Sequence, residues 1–166
     1  IAKNGGVVMV NFYPVFIDQK ALDANKERNE RLKPQLDALN ERYKDDAVRL
    51  SAERQKVFDA NPLPTTPLSV LIDHIDHIAK VAGVDHVGIG SDFDGVPSLP
   101  VGIEDISKLP VITYELLRRG YKEKDIRKIL GENLLRAFAE AEKVSRTMGR
   151  TISGEGNQRR YNAPQK

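Results

Sequence analysis

Two short, almost entirely apolar runs constrain the fold of this chain more than any other feature. Residues 7–12 and 87–90 are rich in β-branched side chains and show no alternation of polar with apolar residues. Such runs are typical of strands buried on both faces of a parallel sheet. Helix-forming sequence separates and follows them, which predicts an α/β fold with helical crossovers. Two parallel strands are too few for a stable sheet, so we expect neighbouring strands from outside this chain.

The segment between the strands begins with a charged insertion at about residues 18–62. It is rich in Lys, Arg, Glu, Gln and Ala, which predicts two helices joined by a turn near residues 44–46. Pro34 is expected either to interrupt the first helix or to lie at a helix start. A solvated helical insertion is the favoured interpretation, and a protein-binding coiled coil is the alternative, although its apolar repeat is short.

The rest of the chain is mostly helical in pattern. Three prolines make residues 61–67 irregular, and the apolar spacing then predicts a helix over residues 68–82. Further helices are expected at residues 109–119, 122–130 and 132–146. Residues 1–144 are therefore expected to form one structural unit, and residues 145–166 a polar, flexible tail.

Composition excludes several classes of protein. The 166 residues carry a net charge of +2 and include no Cys, so a dedicated nucleic-acid binder is not expected, and disulfides and thiolate metal sites are excluded. The sequence contains no run of about 18 apolar residues, so no transmembrane segment is predicted. The first residues lack Met and resemble no signal peptide, so we expect the chain to start partway through a protein.

The second apolar run ends in a polar loop that contains Asp92, Asp94 and Gly95. Active sites of α/β proteins lie at the carboxyl ends of the strands, so a carboxylate at Asp92 is a candidate catalytic group. An Asx-turn, in which the Asp caps its own loop, is the structural alternative.

His74 and His77 are spaced so that both can lie on one face of a helix and bind a metal. This helix is the crossover between the strands, however, and most of it is expected to pack outside the sheet. We favour a solvated face with His–Asp hydrogen bonds. His86 precedes the second strand and is interpreted as structural.

Taken together, five segments resemble the membrane (renal) dipeptidase family, peptidase M19, over about residues 4–144. They are residues 8–13 (VMVNFY), 73–78 (DHIDHI) with 81–83, 88–96 (GIGSDFDGV), 116–120 (LLRRG) and 133–138 (NLLRAF). The resemblance implies the C-terminal portion of an amidohydrolase-type (β/α)8 TIM barrel, with its last two strands and their helices, plus the charged insertion. It also implies hydrolysis of dipeptides with two Zn²⁺ ions per complete enzyme. The family's zinc ligands and its substrate-binding Arg precede the matching segment, so no metal ligand is assigned in this chain.

By the same resemblance, Asp92 matches the family's catalytic aspartate, which takes a proton from the metal-bound water and delivers it to the leaving amine. Gly95 and Phe16 match positions near the substrate, and Phe16 stands where some relatives have Tyr. Asn11 and Tyr13 flank the same strand end and are expected to line the pocket. Simple loop packing is the alternative for these substrate-site residues.

The expected partners are a dipeptide, the N-terminal part of the same enzyme and, as an option, a second copy of the chain. Many bacterial relatives are exported, so a periplasmic or secreted location is an expectation that this sequence does not determine. A non-catalytic helical binding module, with residues 18–60 as its contact surface, is the alternative function.

Overall fold

The two apolar runs form a pair of parallel strands. The computed structural model describes the backbone of residues 1–160 and the side chains of residues 1–148. Strand β1 (Val8–Asn11) pairs in parallel with β2 (Val87–Ser91), as predicted. These two strands are the whole sheet among the described residues, which makes the fold a mixed α/β arrangement.

Seven α-helices accompany the strands in the described part of the chain. They are α1 (Pro14–Ile17), α2 (Gln19–Arg42), α3 (Ala47–Asp59), α4 (Leu68–Ala82), α5 (Pro110–Arg118), α6 (Glu123–Arg127) and α7 (Asn133–Arg160). A π-helical turn, Lys128–Glu132, joins α6 to α7. The predicted pair of helices in the insertion and the helix over residues 68–82 are confirmed.

Pro34 lies inside the continuous helix α2, so both predicted positions for it were wrong. An interior proline removes one backbone hydrogen bond and costs about 3 kcal/mol in a helix. Long stretches of helix-forming residues on both sides of Pro34 offset this cost. Asp18 also caps α2, because its side chain accepts a hydrogen bond from the backbone N–H of Lys20.

The hydrophobic core lies between the sheet, α4 and the helices that follow β2. Helix α4 buries Leu71, Ile72 and Ile75 completely, because its apolar residues recur at helical spacing. The other buried members of the core are Val10, Phe12, Val87, Ile103, Ile112, Leu116, Ile126 and Ile129. Each fully buried aliphatic side chain of this kind contributes about 1.5–3 kcal/mol to stability.

Burial of the strands is less complete than the sequence predicts. Val10 and Val87 are buried, but Met9, on the opposite face of β1, remains exposed. Side chains alternate between the two faces of a strand, and the described residues cover only the face that carries Val10. The exposed face of β1 is open to the neighbouring strands that the sequence predicts from outside this chain, so burial of both faces stays a prediction.

Helix α7 continues well beyond the predicted helix end at residue 146. Its backbone is helical to Arg160, which includes most of the predicted tail, and residues 161–166 lie outside the described residues. The frequent Ala, Glu, Lys and Arg residues near position 140 favour this continuation. The tail's flexibility stays a prediction. Among the described residues, no helix is both long and apolar enough to span a bilayer.

Candidate active site

Two polar side chains meet where the strands end. Asn11 is the last residue of β1, and Asp92 directly follows β2. Parallel pairing brings both ends to the same edge of the sheet, where Asn11 Nδ2 donates a hydrogen bond of 2.7 Å to Asp92 Oδ2. This contact was not predicted. The available signal was a polar residue near the end of each apolar run.

An irregularity in the strand pairing aligns these two residues. Val10 pairs with Ile89, whereas Asn11 pairs with Ser91, so β2 contains one extra residue at this point. That residue is Gly90, and a Cβ atom there would lie only 2.9 Å from the backbone oxygen of Met9. Glycine is therefore required for the close approach of the strands, and the resulting bulge places Asn11 beside the loop that carries Asp92.

The backbone of this loop is strained. Ser91 and Asp92 have φ angles of 47° and 76°, in the left-handed region that residues other than glycine rarely occupy. Such conformations cost on the order of 1–3 kcal/mol each and cluster at functional sites. Phe12 N–H donates a hydrogen bond of 2.9 Å to the Ser91 carbonyl, which helps to hold the strained segment against β1.

Gly95 makes room for the Asp92 carboxylate. Its N–H donates a hydrogen bond of 3.1 Å to the Asp92 carbonyl, which closes a tight turn. A Cβ atom at Gly95 would lie 2.1 Å from Asp92 Oδ1, so no larger residue fits while the carboxylate keeps this position. The structure thus places Gly95 at the site, and its contact with substrate stays a prediction.

The Asn11 side chain is held at both of its polar atoms. Its Oδ1 accepts a hydrogen bond of 2.7 Å from the backbone N–H of Tyr13, while Nδ2 donates to Asp92. The orientation of the Asn11 amide follows from these partners, because the backbone N–H of Tyr13 can only donate and an ionised Asp92 carboxylate can only accept. Asn11 therefore acts as a brace that orients an exposed carboxylate without adding a charge beside it.

Two aromatic residues continue from the same strand end. The rings of Tyr13 and Phe16 pack edge to face with centroids 5.2 Å apart, and Phe16 is 64% exposed. On the inner side, the buried ring of Phe12 contacts Phe93 in the same geometry at 5.6 Å. Tyr13 and Phe16 thus form an aromatic surface next to Asn11, and their contact with substrate stays a prediction.

The histidines lie away from this edge. His74 and His77 are on α4, where partial burial and then the nearby His77 lower the pKa of His74. His86 Nδ1 lies 2.7 Å from the Gly6 carbonyl oxygen, near the amino ends of the strands, in keeping with its structural interpretation.

The acids near these histidines have other partners, so the favoured picture of His–Asp hydrogen bonds was wrong. Asp76 accepts hydrogen bonds from Arg119 and, at 2.7 Å, from the hydroxyl of Tyr121. Arg119 Nη1 also forms an ion pair with Asp73, at 2.6 Å from its Oδ1 atom. Burial and then the bond to Asp76 raise the pKa of Tyr121 well above its usual range. This cluster joins α4 to the end of α5 and is a packing feature.

The site does not contain a set of metal ligands. Within residues 1–148, no three His, Asp or Glu side chains converge on a position that could hold a metal ion. The strand edge contributes one oriented carboxylate, Asp92, with a second exposed carboxylate at Asp94. Such an arrangement can accept and release a proton, but it cannot by itself bind two metal ions.

Comparison with known proteins gives consistent matches. A family model described as membrane dipeptidase (peptidase family M19) matches residues 1–151. A crystal structure described as dipeptidase AC, a metallopeptidase of family M19, is 25% identical over 81% of this chain, with a TM-score of 0.52. The probable dipeptidase PvdM from Pseudomonas aeruginosa is 29% identical over 86% of the chain, with a TM-score of 0.62.

A third structure matches a shorter stretch. It is a metallopeptidase from Rhodobacter sphaeroides with a bound phosphinate mimic of L-Ala-D-Ala, 38% identical over 42% of this chain, with a TM-score of 0.40. The present chain spans 28%, 39% and 20% of the lengths of these three proteins. It therefore corresponds to well under half of each.

Proposed function

Because the chain belongs to the membrane dipeptidase family, peptidase family M19, we propose that it forms part of the active site of a metal-dependent dipeptidase. The proposed reaction is hydrolysis of the peptide bond of a dipeptide, with Asp92 as the proton carrier. One observation carries the assignment: Asp92 is exposed at the carboxyl edge of the sheet and is oriented there by Asn11.

The reaction requires a group that moves a proton. Water adds to the peptide carbonyl carbon and loses a proton, and the departing nitrogen must gain one to leave as an amine. A carboxylate close to both positions can accept the first proton and deliver it to the nitrogen. In the proposal Asp92 does this, while Asn11 is a positioning residue that holds the plane of the carboxylate.

The metal ions of the proposed enzyme are bound elsewhere. The family resemblance implies two Zn²⁺ ions, which would activate the attacking water when bound. The described residues of this chain do not fit such a site, because no group of three suitable ligands is present among them. We propose that the ligands belong to the N-terminal part of the enzyme, and we assign no metal-dependent step to residues of this chain.

The same proposal extends to the architecture and the pocket wall. Strands β1 and β2 would be the last two strands of a (β/α)8 barrel, whose remaining strands would cover the exposed face of β1. Tyr13, Phe16 and Gly95 would then line the substrate pocket together with Asn11. Phe16 is available for this role, because its ring is largely exposed.

Replacement of the proposed proton carrier is the direct test. In the complete enzyme that contains this chain, Asp92→Asn is expected to lower kcat for dipeptide hydrolysis by about 10²–10⁴-fold. Asp94→Asn is the matched control, because Asp94 is also exposed and lies in the same loop. Thermal unfolding should be similar for both variants. Undiminished turnover by Asp92→Asn would refute the assignment of Asp92 as the proton carrier.

The metal assignment has a separate test. This chain, purified without the rest of the enzyme and dialysed against zinc, is expected to retain less than one tightly bound zinc ion per chain. Elemental analysis measures this directly. Two retained zinc ions per chain would show that the ligands lie within the chain and would contradict the proposed division.

A further inference from the structure

Helix α7 carries an apolar stripe that remains largely exposed. The residues of this α7 stripe recur at spacings of three and four positions, so they lie on one side of the helix. They are Leu134, Ala137, Phe138, Ala141, Val144 and Met148. Ala137 is half-buried and the other five are exposed, with 61% of Phe138 accessible. A contiguous apolar surface of this length, about 21 Å along the helix, marks a contact site.

The other side of α7 is polar and already has partners. Arg136 donates hydrogen bonds of 2.8 Å to the carbonyls of Gly5 and Asp85, which attach the start of α7 to the amino end of the sheet. Further along, Arg146 pairs with Glu142 at 3.4 Å. The side of α7 that is still without a partner is therefore the apolar one.

A groove of about 740 Å³ runs beside the α7 stripe. Ala141, Val144 and Met148 line it on the helix side, whereas Asn4 and Gly6 line it on the side of the segment that leads into β1. Within the described chain, the one charged residue of the lining is Glu140, which already forms an ion pair with Lys143 at 3.8 Å. The groove thus offers mainly apolar contacts to an occupant.

The spacing along the stripe selects the kind of occupant. Leu134, Ala141 and Met148 are seven positions apart, and so are Ala137 and Val144. This heptad pattern is the one by which two helices pack side by side at a crossing angle of about 20°. The small alanines between larger side chains leave room for the side chains of a second helix. The matching partner is therefore an amphipathic helix with apolar residues at the same spacing.

The position of the groove indicates where this helix comes from. Gly6, which lines the groove, donates a hydrogen bond of 3.3 Å to the Ile1 carbonyl, so the N-terminal part of the proposed enzyme would enter beside the groove. Two related structures are much longer than this chain, which spans 28% and 39% of their lengths. A covalently attached helix also has an effective concentration of about millimolar, whereas a second copy must associate from solution.

We propose that an amphipathic helix from the N-terminal part of the enzyme docks along the α7 stripe. The inference rests on the proposed function, because that function requires an N-terminal part. The stripe begins where Asn133 ties α7 to the amino end of the sheet, whereas Asp92 lies at the carboxyl end. Docking at α7 can therefore be tested without a change to the proposed proton carrier.

Two cysteine variants of the complete enzyme form a matched pair for this test. Ala141→Cys places a thiol in the α7 stripe, and Ala139→Cys places one about 200° away around the helix, outside the groove. Both alanines are exposed in this chain, which has no Cys of its own. The rate of reaction with a maleimide is measured at two enzyme concentrations, and peptide mapping assigns the modification to α7. We expect the thiol of Ala141→Cys to react at least about tenfold more slowly, because the docked helix must first open.

Each other result has a definite meaning. Equal rates in the two variants would overturn the proposal. Protection that appears only at the higher enzyme concentration would assign the stripe to a second copy and would also overturn it. Ser145→Cys, a nearly isosteric change in the groove lining, repeats the measurement if Ala141→Cys lowers thermal stability.

Dipeptidase activity, measured on the same samples, separates this proposal from the proposed function. Equal labelling rates in an active enzyme would refute the docking alone. Slow labelling of Ala141→Cys in an enzyme whose parent has no dipeptidase activity would refute the proposed function and leave the docking supported.

Discussion

The two ends of the two-stranded sheet use hydrogen bonds for different purposes. At the amino end, side chains donate to backbone carbonyls and so tie the strands to α7. These bonds join Asn133 Nδ2 to the carbonyls of Val84 and Val87, and Arg136 to the carbonyls of Gly5 and Asp85. At the carboxyl end, the Asn11 side chain instead orients the Asp92 side chain above a strained backbone.

The hydrogen bonds at the amino end contribute mainly to stability, whereas the bond at the carboxyl end positions a reactive group. The two bonds from Asn133 are buried or partly buried and stabilise the fold, since an unpaired carbonyl in the interior is costly. An exposed carboxylate held by one amide contributes little to stability, and the left-handed backbone beneath it is unfavourable. We therefore expect changes at the amino end to lower the free energy of unfolding, and changes at the carboxyl end to lower activity.

Asn133→Ala should produce the largest change in stability. Asn133 is buried, and its Nδ2 donates bonds of 2.7 and 2.8 Å to two carbonyls that would both lose their donor. We expect the free energy of unfolding to fall by about 2–4 kcal/mol, measured by urea denaturation. Asn29→Ala on the exposed face of α2 is the control and should change it by less than about 0.5 kcal/mol. Equal losses of unfolding free energy in the two variants would show that the Asn133 bonds at the amino end of the sheet do not stabilise the fold.

Gly95→Ala should affect activity more than stability. The added Cβ would lie 2.1 Å from Asp92 Oδ1, so the carboxylate must move away from its braced position. Misplacement of a catalytic group by about 1 Å can cost about 10²-fold, and we expect a loss of kcat/KM between about tenfold and that value in the complete enzyme. Gly131→Ala is the control, because nothing lies within 4 Å of its Cβ position. Full activity of Gly95→Ala would argue against a fixed carboxylate.

Ser91→Gly should stabilise the protein slightly. Glycine adopts the left-handed conformation of Ser91 without steric cost, although it loses more entropy on folding. The net gain is expected to be about 0.5–1 kcal/mol in the free energy of unfolding. The same replacement at Ser51, in the middle of α3, should destabilise the protein by a similar amount. A loss of stability in Ser91→Gly would show that the loop is not strained.

His74→Asn tests the histidine pair and should have the smallest effect. Burial lowers the pKa of His74, so the unfolded chain binds its proton more readily than the folded chain does. Stability from this source is complete well above the unfolded pKa of about 6.5 and decreases as the pH falls through that value. The variant should therefore lose less stability than the parent between pH 7.5 and pH 5, measured by urea denaturation. Dipeptidase activity at pH 7.5 should not change, and a large loss would revive a metal-binding role.

Much of the local structure was predictable from residue patterns. The parallel strands, the helical hairpin and the helix over residues 68–82 all follow from the spacing of apolar residues and from helix-forming composition. The same patterns failed at Pro34 and at the end of α7, where neighbouring helix formers outweigh a local breaker or a polar tail. They do not determine whether Met9 is covered, because burial of a strand face depends on what packs against it.

The sequence by itself determined that Asp92 follows a buried strand, that the crossover returns to make a parallel pair, and that the segments match one dipeptidase family. Only the tertiary structure decided the contacts, with Asn11 bound to Asp92 and Gly95 beneath the Asp92 carboxylate. The reason is physical. Local patterns depend on residues a few positions apart, whereas Asn11 and Asp92 are separated by 81 positions and meet only after the strands pair.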